Sequence, residues 1–227
     1  MVLAVGALLA IVVGPVLFVV AVVVALVLVA VAYLYADRIV LGLSHARPVS
    51  ADDEPRYHNL VEGLCVSAGL PKPELYVIDD DAPNSFATGR NVEHAAVVVT
   101  TGLLQKLSRM ELEGILAHEL SHIRSHDTLV TSLGTALVGL PLMPAGPLAA
   151  RLLSSLVGRG RERDADLGGV RLTRYPPGLA AALEKVRREP PALPASRATA
   201  HLWISSPLDA ADGAGRLDAR IAALRDM

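Results

Sequence analysis

The chain has 227 residues, 52% of them hydrophobic and 19% charged, with a formal net charge of −2. A mean hydropathy of +0.43 is too high for an ordinary soluble domain, so a membrane segment joined to a polar domain is expected. The near-neutral charge balance excludes a nucleic-acid footprint, and the single cysteine excludes an internal disulfide framework.

Val2 to Ala36 is almost wholly apolar, interrupted only by Gly6 and Gly14-Pro15. As a helix it would run about 50 Å, longer than the roughly 30 Å hydrocarbon core, so one full span is expected from about Val16 to Tyr35. Val2 to Val13 is short of the roughly 17 residues a second span needs, and is either a short span or a helical extension. No basic leader region or small-residue cleavage site marks a removable signal. Tyr33 and Tyr35 suit a membrane interface and Arg38 and Arg47 follow them. The positive-inside rule therefore places the chain in the cell membrane with its polar domain in the cytoplasm.

Ser50 to Gly69 reads as a helix, opened by the pair Ser50 and Asp53 and stopped by Gly69. Cys65 lies in its amphipathic run as a packing residue, with nothing beside it in sequence to lower a thiol pKa. Pro71 and Pro73 force extended chain. Leu75 to Ile78 is then a short strand, Asp79 to Asn84 a turn, and Ala95 to Thr100 a β-branched strand leading into a short helix up to Leu107. Between the strands, Asn84 to Gly89 reads as a turn with Phe86 buried.

Ser108 to Asp127 carries Met110, Leu112, Ile115, Leu116, Leu120 and Ile123 at helical spacing, opened by a capping box of Ser108 and Glu111. His118 and His122 lie four apart and share a face, which lets both imidazoles bind one cation. Glu119 stands slightly aside, where it can take a proton from water activated at the ion without being a ligand. His126 continues the face but is no ligand, because eight residues of helix rise about 12 Å from His118. It suits the helix end as a polar residue.

Thr128 to Val157 is apolar, with Pro141, Pro144 and Pro147 at its centre, and reads as two short helices meeting at a bend, either re-entrant in the membrane or a buried pair. In Arg159 to Arg174, Glu162 and Asp166 lie four apart on one helix face. Glu162 is open to two readings: a solvated ion pair with Arg159 or Arg163, or the protein ligand that two histidines leave missing. Asp166, able to accept from the far nitrogen of a ligand imidazole, favours the second. Pro176-Pro177 ends this helix, Gly178 to Arg188 forms another, and Pro190, Pro191 and Pro194 make an extended linker.

Several motifs together resemble the HtpX-like membrane zinc endopeptidases, from Tyr35 to Ile221. Asp37 to Leu41 is similar to the family's D-x-I-V-L, with Arg38 in the middle, and Ala46 to Ser50 to its A-x-P-V-S. Asn84 to Gly89 resembles N-A-F-A-T-G with Ser85 in place of alanine. His118 to His122 matches the zinc motif, and Asp127 the aspartate that follows it. Arg161 to Asp166 resembles R-E-x-x-A-D, which implies Glu162 as third ligand and Asp166 as its supporting acid. Ala200 to Ile204 looks like A-H-L-F-I. The hydrophobic segments are shorter than is usual in the family. Where its T-H-P-P histidine would stand, this chain has Ala214. That family histidine helps stabilise the tetrahedral intermediate, so Arg220 is either its partial replacement or a surface arginine.

The expected fold is α+β and mainly helical, with a small sheet beside the metal helix, an N-terminal transmembrane helix and a second short hydrophobic hairpin. Residues 1–36 form the anchor, 37–127 the first part of the catalytic domain, 128–157 the hairpin and 158–227 the second part. The resemblance implies a membrane-anchored endopeptidase with one Zn2+ per chain, held by His118, His122 and Glu162, with Glu119 as base. Its partners would be the bilayer and polypeptides, membrane or misfolded proteins in quality control and stress response. Substrate would lie along the sheet edge near Asn84, Phe86, Ala87 and Thr88. The rival reading, motivated by Ala214, is a zinc-binding membrane scaffold without hydrolytic competence.

Overall fold

A run of aliphatic residues with no break strong enough to end it builds the first element. In the computed structural model, which describes residues 2–135, 160–189, 199, 202–205 and 213–227, helix α1 is Val2–Leu43. It passes through Gly14 and Pro15, so Val2 to Val13 is a helical extension. Its part Val16–Leu43 has a mean hydropathy of 3.2, and is the one described helix long and apolar enough to cross a membrane. The helix also continues past Ala36, where the sequence places the end of the anchor. Ala36 and Val40 are fully buried, and Val40 and Leu41 pack beneath the sheet on Phe86, Ala96 and Val98.

The sheet has strands β1 (Arg47–Pro48), β2 (Glu74–Ile78), β3 (Ser85–Asn91) and β4 (His94–Thr100) in the order β1-β2-β4-β3. β2 and β4 are parallel and the other pairs antiparallel. Central β4 is covered on both faces, which accounts for its unbroken Ala-Ala-Val-Val-Val run. Ala95, Val97 and Val99 join the main core, while Ala96 and Val98 meet the end of α1.

The expected turn at Asn84 to Gly89 is instead most of β3. Serine, threonine and glycine favour turns locally, but registry with β4 (Ser85 opposite Val99, Ala87 opposite Val97) overrides them. Gly89 has a turn-like φ of 143° at a bulge, where a Cβ would stand 2.4 Å from the His94 carbonyl oxygen.

Helix α2 (Pro55–Ala68) begins later than expected. Ser50 and Asp53 do bond, Oγ to Oδ2 at 2.7 Å, but they close a turn ahead of the helix, and Pro55 takes its first position. Gly69 ends it in the left-handed conformation, as expected. Cys65 is buried there, and burial pushes its thiol up to about 11, in keeping with a packing role.

After α3 (Thr101–Lys106), helix α4 (Arg109–Arg124) starts at the expected capping box. It ends a turn before the expected Asp127: Ser125 caps it, His126 is left-handed, and α5 (Asp127–Gly134) sets off in a new direction. Helices α6 (Arg161–Thr173) and α7 (Pro176–Arg188) pack on α4, and α8 (Gly213–Arg225) packs on α7. With the sheet on one side and helices on the other, most of α4 is buried, its polar His118 and Glu119 included; Leu112, Ile115 and Leu116 are wholly buried. Of the expected hairpin, residues 128–135 are described, and Leu133 packs on Ala32 and Ala36 of α1. Its remainder, including the proline bend, lies outside the described residues, as do the 190–194 linker and His201.

Candidate metal centre

One helical turn separates His118 from His122, and their ring centroids are 4.8 Å apart. What brings a third group to them is a close helix crossing. A Cβ on Gly169 of α6 would stand 3.0 Å from the His118 backbone nitrogen, and one on Gly168 would stand 1.8 Å from Ser121 Oγ. At that separation Glu162, in the first turn of α6, spans both imidazoles. Its Oε2 is 3.6 Å from His118 Nε2 and its Oε1 is 3.4 Å from His122 Nε2. One donor atom from each of the three residues lies within 4.8 Å of the other two, so the group could hold a metal ion.

The donor chemistry fits such an ion. Both histidines turn Nε2 toward Glu162 and Nδ1 toward an acid, the arrangement that fixes an imidazole's tautomer and leaves the other nitrogen as a ligand. His118 Nδ1 lies 2.9 Å from Asp166 Oδ1, at an angle short of a well-formed hydrogen bond. His122 Nδ1 lies 3.3 Å from Asp127 Oδ2. Arginines stand behind the acids. Arg220 of α8 donates to both Asp166 oxygens (2.8 and 2.7 Å) and to Glu162 Oε2 (2.8 Å). Arg161 donates to Asp127 Oδ1 at 2.7 Å and to its carbonyl oxygen at 2.5 Å.

These contacts set the charges. Surrounding protein pushes the Glu162 carboxyl up, but Arg220 and the two imidazoles outweigh it and hold it well below the usual carboxylate range. Asp166 is likewise lowered, burial being overcome by His118 and Arg220. Asp127 falls to about 2 because His122, Ser125 and Arg161 outweigh its burial. Burial lowers His122, yet Asp127 and Glu162 raise it in net to about 10 with no ion beside it.

Glu119, on the side of α4 facing the sheet, is 2% exposed. Burial raises its carboxyl above the ordinary range, against the pull of the two histidines. Ser85 Oγ donates to its Oε1 at 2.6 Å.

The remaining sequence candidates lie on β3, the open edge of the sheet, or just before it (Asn84), and are buried. Asn84 is tied to the Ser205 backbone (Nδ2 to O 2.9 Å, N to Oδ1 3.2 Å). Phe86 is fully buried and meets Trp203 edge-on at 4.9 Å. Thr88 Oγ1 is 2.8 Å from Ser132 Oγ, and Ala87 belongs to the core. His118, His122, Glu162, Asp166 and Arg220 are brought together, and Glu119 stands beside them. Sequence reasoning assigns no role to Ser85, Asp127, Arg161, Gly168 or Gly169. For the adjacent glycines the signal is their place inside a helical pattern, since such glycines mark a close approach, and for Asp127 it is the motif resemblance.

The model of Peptidase family M48 matches residues 51–206. A protease HtpX homolog of Tropheryma whipplei is 38% identical over 208 residues, covering 78% of this chain and 72% of that protein. Those of Ralstonia nicotianae and Dictyoglomus thermophilum are also 38% identical, each over 78% of this chain and over 73% and 69% of their own lengths. The family match over most of the chain agrees with the His-Glu-x-x-His helix and the carboxylate that meets it, and the chain belongs to peptidase family M48, among its HtpX-like proteases.

Proposed function

We propose that the protein is a zinc-dependent endopeptidase anchored in the cell membrane, cleaving membrane or misfolded proteins at the cytoplasmic face in protein quality control. The observation that carries this reading is the convergence of His118, His122 and Glu162 donor atoms within 4.8 Å, next to a buried carboxylate that is not among them.

His118, His122 and Glu162 hold one zinc ion, and Asp166 and Asp127 fix the two imidazoles from behind. Bound there, zinc supplies Lewis acidity toward water and the scissile carbonyl. Glu119 takes the proton from the attacking water and delivers it to the leaving amine. Arg220, engaged by two carboxylates, holds Glu162 and Asp166 in place; any stabilisation of the transition state comes from its N–H groups that these acids leave over.

Substrate recognition is assigned to the main chain of β3. The Asn84 carbonyl faces β4, so alternation turns the main-chain groups of Ser85, Ala87 and Gly89 to the open side. There the Ser85 carbonyl accepts the Ile204 N–H at 3.0 Å and the Gly89 N–H reaches Ser132 Oγ at 3.3 Å. Ala87 is left as the residue on which an extended substrate pairs, with Asn84, Phe86 and Thr88 holding the strand. Pairing through main chain tolerates varied sequence, so broad specificity is expected. The orientation rests on Arg38 and Arg47 just beyond the apolar span.

The test is purified protein in detergent with an unfolded substrate such as casein. Elemental analysis should find about one zinc, lost on Glu162→Ala. Glu119→Gln should keep the zinc and reduce proteolysis about 100-fold or more. A zinc-loaded protein that cleaves neither unfolded nor membrane substrates, with Glu119→Gln indistinguishable from it, would replace this reading by the zinc-binding scaffold.

A further inference from the structure

We infer that Ser85 is a positioning residue for Glu119, a role that rests on the reading of Glu119 as the general base. The Ser85 hydroxyl and the Glu119 carboxylate meet at 2.6 Å, and the two residues are 0% and 2% exposed. A hydroxyl donating to a carboxylate at that length is among the strong hydrogen bonds, and it is made in the absence of competing water. Among the described residues it is the one hydrogen bond the Glu119 side chain receives. It engages Oε1 and leaves Oε2 for proton transfer.

The backbone that presents the hydroxyl is itself held. The Ser85 N–H donates to Asn84 Oδ1 at 3.1 Å, and that same amide is fastened to Ser205. The Ser85 carbonyl takes the Ile204 N–H, and β3 pairs Ser85 opposite Val99. The start of the strand is thus pinned from two directions, which fixes the Cβ from which the Oγ reaches Glu119. Without this donor, Glu119 would be a buried carboxylate facing two imidazoles with nothing to hold it off them. The N-A-F-A-T-G pattern that Asn84 to Gly89 resembles has alanine at this position, which has no donor.

The experiment uses the full zinc-loaded chain in detergent, with casein turnover resolved into kcat and KM. Ser85→Ala should lower kcat about tenfold with KM and zinc content unchanged, as expected when a hydrogen bond to a charged group is removed. In a Glu119→Asp background, where the shortened carboxylate no longer reaches Ser85, the same substitution should have no further effect on kcat. A readout independent of turnover is the thermal midpoint of the metal-free protein. Ser85→Ala should lower it by about 2–4 °C when Glu119 is present and leave it unmoved when Glu119 is alanine. Unchanged kcat in Ser85→Ala, or a loss that persists in the Glu119→Asp background, overturns the inference. If Glu119→Gln is inactive while Ser85→Ala has full activity, only the inference on Ser85 falls. If Glu119→Gln retains full proteolysis, the reading of Glu119 as base falls and takes this inference with it.

Discussion

Replacing glycine by alanine should have opposite consequences in two helices of this protein. In α2, a Cβ built on Gly63 meets nothing within 4 Å. Gly63→Ala therefore gains up to about 1 kcal/mol of helix propensity, which for a chain of this size raises the thermal midpoint by about 2–4 °C. Gly169 of α6 has the same propensity to gain, but its Cβ would stand 3.0 Å from the His118 nitrogen, 3.2 Å from its Cα and 3.3 Å from the Ala117 carbonyl carbon. All three are backbone atoms of α4, which the sheet and α7 hold from other sides, so α6 must withdraw by several tenths of an ångström. Overpacking of this kind costs about 1–3 kcal/mol, leaving a net loss of about 0–2 kcal/mol after the propensity gain. The sharper effect falls on the metal. Glu162 moves with α6, and ligand distances tolerate only about 0.2 Å, so zinc affinity should drop at least about tenfold. Competition with a chromogenic chelator measures the affinity and a thermal scan the stability. A Gly169→Ala protein that binds zinc as tightly as the unmodified chain and melts higher, as Gly63→Ala should, would refute the claim that this helix contact positions Glu162.

Two further outcomes follow from the groups around α4. Asp127→Asn keeps the shape beside His122 but removes the carboxylate that His122, Ser125 and Arg161 hold to about 2 against its burial, so zinc affinity should fall about 10–100-fold in a chelator titration. Glu111, at the start of α4, is raised by burial but brought below its ordinary 4.5 in net by Lys185 and Ser108. A carboxyl lowered by folding contributes stability that is complete above about 4.5 and is lost as pH falls through the folded value. Thermal midpoints of the metal-free protein should therefore drop more steeply below pH about 4.5 in the unmodified chain than in Glu111→Gln. Parallel curves would rule out this contribution.

The parts of this fold that were legible in the sequence are those set by local geometry. The Ser108–Glu111 capping box opens α4 where it was expected, and four residues of helix are enough to put His118 and His122 on one face. Glu162 was legible as a face shared with Asp166, and as a ligand through a resemblance, but its meeting with the imidazoles is a long-range event. It depends on Gly168 and Gly169 lying against α4, forty-odd residues along the chain, which no local pattern specifies. β3 was misread for a related reason. Ser85, Thr88 and Gly89 carry turn chemistry of their own, and only pairing with β4 makes them a strand. Hydropathy registers the polar Asp37 and Arg38 as the end of the apolar segment, but not of the helix. The helix continues because Val40 and Leu41 have Phe86 and Val98 to bury.

The early end of α4 has a structural reason that ties it to the metal centre. Had the helix continued to Asp127, that residue would stand five positions beyond His122, about 140° around the axis, and its carboxylate would point away from the ligand face. Instead His126 adopts φ 59° and ψ 20°, a left-handed conformation costing a non-glycine residue about 1–2 kcal/mol, and α4 gives way to α5. Asp127 then reaches His122 Nδ1 at 3.3 Å while Arg161 reaches Asp127. The result is a second histidine–acid–arginine series beside that of His118, Asp166 and Arg220, built from different segments of the chain. The two series do the same electrostatic work. Against its burial, Asp127 and Glu162 together raise His122 to about 10 even with Arg161 on Asp127, and a protonated imidazole is no ligand, so an ion must displace that proton. The arginine behind each acid keeps the carboxylate ionised and fixed, and Arg220 adds to burial in lowering His118. Nδ1–H is then oriented and Nε2 is left as the donor toward Glu162. The strained backbone at His126 is offset by what it assembles, since without the break between α4 and α5 His122 would have no acid behind it.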